Sequence, residues 1–127
     1  MAVRAKAFVL ATGRFVGGGI GRDDGTFSET VFSLPVECIE MPSPNAPVGD
    51  LTGRRIADKH AAFSAGIRTD DRLRPLAANG GPAFDNLFSA GAVIGAYDTA
   101  NGPSGIGLAI LTGWLAGKNA ASEQDRT

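Results

Sequence analysis

The chain is poor in the residues that do most protein chemistry: one cysteine, one histidine, one tryptophan and one tyrosine in 127 residues. A lone Cys38 forms no internal disulfide, which makes a cytoplasmic setting the default. One thiolate cannot ligate an iron–sulfur centre, and no metal site is expected. His60 is the one side chain whose ordinary titration lies near neutrality. It falls on a weak helical pattern with Ile56 and Phe63 and has no carboxylate partner in sequence, which predicts a structural role rather than acid–base work.

An excess of charge of either sign is also absent, with 12 Lys and Arg against 13 Asp and Glu. That removes electrostatic support for nucleic acid or an anionic membrane surface as a partner. The opening Met-Ala-Val-Arg-Ala-Lys has no signal-like apolar core. The longest apolar-leaning stretch, residues 105–117, falls short of the roughly 20 residues that span a bilayer, so no direct membrane insertion is expected. The length fits one domain and excludes a nucleotide fold plus a separate substrate domain.

Glycine is abundant instead: 18 residues, about twice the roughly 7% usage of ordinary proteins, without a collagen period. Many backbone positions therefore need something that a side chain would obstruct. The apolar run Ala7 to Ala11, stopped by Thr12-Gly13, predicts a buried strand over residues 6–11 that feeds a loop. Such a strand needs cover on both faces, and the chain offers few helices to supply it. Asp24-Gly25 predicts a hairpin turn between residues 16–21 and 26–32. Prolines at 42, 44 and 47 exclude regular structure there, a short helix is expected over residues 56–63, and Asn86 to Ala90 is a further strand. Ile106, Ile110, Leu111, Trp114 and Leu115 recur at helical spacing, with Ser104 as cap. The fold class expected is α/β: a small mixed sheet with a β-ribbon and a C-terminal helix. Residues 1–120 form a single domain, followed by a disordered tail over 121–127 that has nothing to bury.

The order of strand, glycine-rich loop and helix near the end places the amides of Gly105, Ile106 and Gly107 at a helix start with little side chain in the way. Such amides bind a phosphate or the pyrimidine edge of a flavin. The same glycines also suit a tight turn and close helix–sheet packing, and spacing alone leaves both readings open. Thr12 and Gly13 end a strand at its carboxyl edge, where open sheets bind ligands. Arg14 has the donors to meet an electron-rich or anionic group, and Arg74, set in extended backbone before Pro75, is the candidate for a substrate anion. Asp23-Asp24 and Asp70-Asp71 read as turn formers.

Three blocks carry a resemblance: Ala11-Thr12-Gly13-Arg14-Phe15-Val16-Gly17-Gly18-Gly19-Ile20, Thr69-Asp70-Asp71-Arg72-Leu73-Arg74-Pro75, and Gly91-Ala92-Val93-Ile94-Gly95-Ala96-Tyr97-Asp98. In their order they resemble the C-terminal portion of the B-subunit family of anaerobic glycerol-3-phosphate dehydrogenase, within the flavoproteins that carry two dinucleotide-binding folds. The run Ser104-Gly105-Ile106-Gly107-Leu108-Ala109 after Asn86 to Gly91 resembles the flavin-contacting helix of those flavoproteins, and together the resemblances imply an incomplete flavoprotein domain and FAD or FMN as cofactor, held by Thr12, Gly13, Arg14, Gly91, Gly105, Ile106 and Gly107. The resemblance to the B-subunit family further implies oxidation of glycerol 3-phosphate to dihydroxyacetone phosphate, with electrons passed toward a quinone. Its partners would be other dehydrogenase subunits or a missing N-terminal nucleotide-binding segment, with membrane association through one of them. The family's glycine-rich nucleotide-binding start has no counterpart before Ala7, and Ala92 stands where related flavoproteins place an acidic residue. The alternative is a non-catalytic domain, without flavin, that forms a homodimer or docks on another subunit.

Overall fold

The computed structural model describes residues 2–23, 25–39, 46–97 and 105–124. Its organising element is a parallel pair in which β1 (Phe8–Leu10) lies beside β6 (Leu87–Ser89), with Phe8 opposite Leu87 and Leu10 opposite Ser89. The ladder extends past both strands, since the Phe8 amide donates to Asn86 O and the Ala90 amide to Leu10 O, each at 2.9 Å. β6 is buried throughout, and the two-residue period of a strand sends its side chains into two cores. Leu87 joins Leu10, Leu34, Ile67, Val93 and Ile94 on one face. Phe88 joins Ala90 and Ala116 on the other. Cover on both faces is what a parallel pair needs, and β6 receives it more fully than β1, where Val9 is 46% exposed.

The expected ribbon is present. β2 (Ile20–Asp23) and β3 (Thr26–Glu29) pair antiparallel with Asp23 opposite Thr26, and Gly25 has φ 83°. Asp24 itself lies outside the described residues. β3 ends at Glu29, short of the expected Phe32, because both Glu29 carboxylate oxygens accept backbone amides, from Val31 and Phe32, at 2.8 Å. This closes a turn over the following residues.

Two further strands are short, and the first has no counterpart in the sequence pattern, whereas the second overlaps an extended piece expected at Ile67-Arg68-Thr69. β4 (Val36–Glu37) pairs antiparallel with β5 (Gly66–Ile67), and Ile67 also bridges to Ile94. β5 passes so close to the loop after β6 that a Cβ on Gly66 would fall 2.5 Å from Gly95 Cα. Only two facing glycines permit that approach.

The helix expected over 56–63 is replaced by a 3-10 turn at Ala61–Ser64, and Ile56 is 99% exposed. Side chains capture the backbone there: Asp58 Oδ2 accepts the Arg55 amide at 2.9 Å, and His60 Nδ1 accepts the Gly53 amide at 2.8 Å. Such local bonds compete with helical ones. His60 thus has the structural place that its sequence context predicts. Of the proline-rich segment, residues 40–45 lie outside the described residues.

α1 (Gly105–Gln124) is the expected C-terminal helix, and no helix among the described residues is long and apolar enough to cross a membrane. Its orientation departs from the apolar stripe in the sequence. The buried positions are Thr112 and Ala116, whereas Ile106, Ile110, Leu111 and Trp114 are 58–80% exposed and Leu115 is half-buried. A small residue at 116 lets the helix axis approach Phe88, Ala90 and Ala7, which a leucine would prevent. The helix also runs past Ala121, into the segment expected to fray. Arg72 holds its last turn, with Nη2 2.6 Å from Glu123 Oε1 and its carbonyl accepting from Asn119 Nδ2 at 2.8 Å. Residues 125–127 and the expected cap Ser104 lie outside the described residues.

Candidate functional site

Parallel strands end together, and just beyond each strand here stands a glycine with positive φ: Gly13 at 74° after β1, and Gly91 at 73° after β6. Gly91 opens a 3-10 turn over Gly91–Val93. Its peptide groups are held from two sides. The Gly91 amide donates to Thr112 Oγ1 at 2.9 Å, and the Tyr97 hydroxyl donates to Gly91 O at 2.9 Å. The Thr112 hydroxyl donates in turn to Leu108 O at 2.7 Å, one helical turn back. The side of Gly91 that a Cβ would occupy meets nothing within 4 Å among the described residues.

The same contacts give the direction of α1. Thr112 is level with Gly91, Ala116 with Phe88, and Glu123 with Arg72, so the helix runs antiparallel to β1 and β6. Its N-terminal turns project past the carboxyl ends of the strands. Gly105 lies seven residues before Thr112, roughly 10 Å along the axis at the helical rise. The first-turn amides of Gly105, Ile106 and Gly107 have no intrahelical acceptor and carry the positive end of the helix dipole. By that direction they lie beyond the carboxyl end of β6, past which Gly91 stands. Residues 98–104, which include Gly102 and Asp98, lie outside the described residues.

Thr12 adds a buried hydroxyl at this edge, and Oγ1 has no hydrogen-bond partner among the described residues. The Gly17-Gly18-Gly19 run packs on the same strand end. A Cβ at Gly17 would fall 2.6 Å from Thr12 O, and one at Gly19 2.6 Å from Thr12 Oγ1. Close backbone packing accounts for Gly17 and Gly19, whereas Gly18 meets nothing within 4 Å among the described residues and is required by its φ of 77°.

Arg14 is placed at the edge, but as a brace. Its side chain is 9% exposed in total, with Nε donating to Ala92 O at 2.8 Å and Nη2 to Tyr97 O at 2.9 Å and Ile94 O at 3.3 Å. The guanidinium also stands 5.2 Å from the Tyr97 ring centroid. Burial pushes the Tyr97 phenol above its ordinary value of 10.0, with the Arg14 charge pulling the other way. Tyr97 is therefore a neutral hydroxyl at pH 7 and can donate to Gly91.

Arg74 is not brought to this edge as an open anion receptor. Its Nε lies 2.7 Å from Asp70 Oδ2 and its Nη1 3.4 Å from Asp85 Oδ1. Burial raises the Asp70 carboxyl, but the Arg74 amide and guanidinium and the Arg72 amide outweigh it and hold the group below its ordinary 3.8. Asp70 is thus the turn former that the sequence suggests, and an ion-pair partner as well. Elsewhere, Phe15, Arg22, Phe27, Leu51, Thr52 and Ala62 line an apolar cavity of about 290 Å³.

Thr112 and Tyr97 are the two members of the site that the sequence reading does not single out. A polar residue inside the apolar stretch Leu108 to Leu115 is the available signal for the first, since a threonine there commonly bonds back to the preceding turn. Tyr97 leaves no local signal, because its partner is brought in by the 3-10 turn.

A family model described as FAD binding domain matches residues 1–108. A relative from Halobacterium salinarum, named as the probable B-subunit of an anaerobic glycerol-3-phosphate dehydrogenase, is 40% identical over 120 residues, 92% of this chain and 26% of its own. The anaerobic glycerol-3-phosphate dehydrogenase B-subunit of Yersinia pestis is 28% identical over 121 residues, 95% of this chain and 27% of its own. The Vibrio cholerae protein of that name is 28% identical over 114 residues, covering 90% and 25%. The chain spans about a quarter of the length of these relatives. No solved structure matches it significantly.

Proposed function

The chain belongs to the FAD binding domain family, and from that premise we propose that it forms the flavin-ring side of an FAD site in a dehydrogenase of the glycerol-3-phosphate class. The observation that supports this reading is Gly91, a positive-φ glycine just past the end of β6 whose Cβ side meets nothing within 4 Å among the described residues and whose amide is held by Thr112 of α1. The residues present fit a flat group with a polar edge. Among the described residues nothing obstructs the backbone face of Gly91, and the helix start supplies amide donors in a positive field. When bound, FAD supplies the hydride acceptor.

The chain's own part is placement and electrostatics. The Gly105, Ile106 and Gly107 amides would hold the polar edge of the ring and stabilise negative charge there. Gly91 would admit the ring to van der Waals distance of the backbone, where a Cβ would hold it off. Arg14, Tyr97 and Thr112 fix the Gly91 turn against β1 and α1, which keeps the donors in register before any ligand arrives. Glycerol 3-phosphate is the proposed substrate, dihydroxyacetone phosphate the product, and a quinone the destination of the electrons. The nucleotide-binding part and the other subunits of the dehydrogenase are the proposed partners, and one of them provides any membrane association.

Flavin fluorescence quenching tests this reading, with FAD titrated into the purified chain alone and into the chain together with the remaining segment of the Halobacterium salinarum relative. Saturable quenching by FAD in either mixture supports the site. Absence of quenching in both, at concentrations on the order of 50 µM, overturns it. A second reading, a docking domain without flavin, is favoured by the outward apolar stripe of α1. It predicts association with no quenching.

A further inference from the structure

We propose that the apolar cavity lined by the β2–β3 ribbon and the 3-10 turns Val48–Leu51 and Ala61–Ser64 binds a small organic anion, a carboxylate on an apolar body of about ten carbons. The cavity shares no residue with the Gly91 turn or the start of α1, and its ligand is separate from the flavin.

The ribbon register supplies one wall. Arg22 stands opposite Phe27 across β2 and β3, so the two side chains leave the same face. Phe15 meets Phe27 edge-on, with ring centroids 5.6 Å apart and planes at 72°. The Val48–Leu51 turn adds Leu51, which is 3% exposed, and the Ala61–Ser64 turn adds Ala62. Arg22 Nη2 donates to Ala46 O at 2.8 Å, which fastens the chain entering the first of these turns to the ribbon.

Volume sets the size of the ligand. The cavity's 290 Å³ is nearly twice the roughly 150 Å³ that holds one benzene ring. That space suits two fused rings or a chain of about ten carbons. Water is a poor occupant, because it needs several polar partners and these walls are apolar.

Arg22 sets the head group. Its guanidinium lies over the Phe27 ring, 5.2 Å from the centroid. The bond to Ala46 O is its single hydrogen bond among the described residues, and no carboxylate there pairs with it. Nε is enclosed without an acceptor, so the charge is incompletely satisfied. A positive fork with donors to spare, beside an apolar space, matches a carboxylate whose body fills that space. A neutral molecule of the same shape fills the cavity but leaves the fork unmatched, and a cation is repelled.

Isothermal titration calorimetry of the purified chain with 2-naphthoate, decanoate, neutral 2-naphthamide and 2-naphthylmethylammonium tests the proposal. Saturable binding of either carboxylate is expected with a Kd on the order of 0.1 mM, and the tighter of the two identifies an aromatic or an aliphatic body. The amide should bind more than about tenfold more weakly, and the ammonium should give no measurable heat. Arg22→Met keeps an unbranched apolar stem and removes the charge, so it should bring the carboxylates down to the level of the amide and leave the amide within about twofold of wild type. Ala62→Leu fills part of the cavity and should weaken carboxylate and amide alike by more than about tenfold, which also separates this site from the Gly91 turn. Thermal melts check that each variant is folded. Should Arg22→Met not fold, the carboxylate-to-amide ratio on wild type carries the charge test. No binding of either carboxylate up to about 2 mM, equal affinity for carboxylate and amide, or full carboxylate binding by Ala62→Leu or Arg22→Met overturns the proposal.

Discussion

Thr112 Oγ1 accepts the Gly91 amide at 2.9 Å and so ties the middle of α1 to the turn that follows β6. The bond spans 21 positions in sequence and sets how far the start of the helix projects past the strands. Thr112→Val keeps the shape but leaves a buried amide without an acceptor, at a cost of about 1–3 kcal/mol. Thr112→Ser should recover most of it. Urea unfolding of the three proteins measures this, and equal midpoints for wild type and valine would show that the bond does not matter.

Arg14 joins the exit of β1 to the loop after β6 through three carbonyls, and lysine cannot reproduce its planar fork. Both Arg14→Lys and Arg14→Ala should therefore lose about 3 kcal/mol, as several charge-assisted bonds and a buried partner set are removed. Thermal melts check the ranking. A lysine variant as stable as wild type would contradict the bracing role.

Gly66 and Gly95 touch backbone to backbone. Gly66→Ala forces β5 away from Ile94 and should cost more than about 4 kcal/mol, in the range of the most disruptive single substitutions. Loss of the cooperative unfolding transition is the expected result. A variant that melts within a few degrees of wild type would show that the strand can shift at little cost.

Asp70 is held below 3.8 by the net effect of its partners. A lowered carboxyl contributes stability that is complete above its unfolded value and lost as the pH falls through the lower folded value. The acid limb of a pH–stability curve should therefore flatten in Asp70→Asn, with the stability of wild type and variant converging at low pH. Parallel curves from pH 7 down to pH 2 would refute the linkage.

Tyr97 behaves in the opposite sense. Its raised phenol contributes stability that is complete below 10.0 and lost as the pH rises through the folded value. Because it is the single tyrosine in the chain, tyrosinate absorbance reports it without overlap. Titration of the folded protein should give an apparent value above that of the urea-unfolded chain. Coincident curves would mean that the hydroxyl is not enclosed.

Much of the site lies in local patterns. The strand ending at Thr12-Gly13, the hairpin at Gly25, the strand before Gly91 and the helix from Gly105 each follow from runs and breakers within a few residues. The relations among them are hidden. Arg14 reads as an anion receptor because its partners are carbonyls about 80 positions away, and Arg74 because no spacing rule pairs it with Asp85. Backbone acceptors carry no residue identity, so a sequence cannot announce them.

The residues alone determined which segments extend, which coil and where the backbone must be bare, since those follow from side-chain volume and dihedral freedom over short distances. Tertiary structure decided which side of the last helix turns inward. Apolar periodicity favoured Ile106, Ile110 and Trp114, but contact with β1 and β6 requires small side chains at the point of closest approach, and Thr112 and Ala116 meet that requirement. The larger residues are left outside, where they stand exposed on the outer side of the helix.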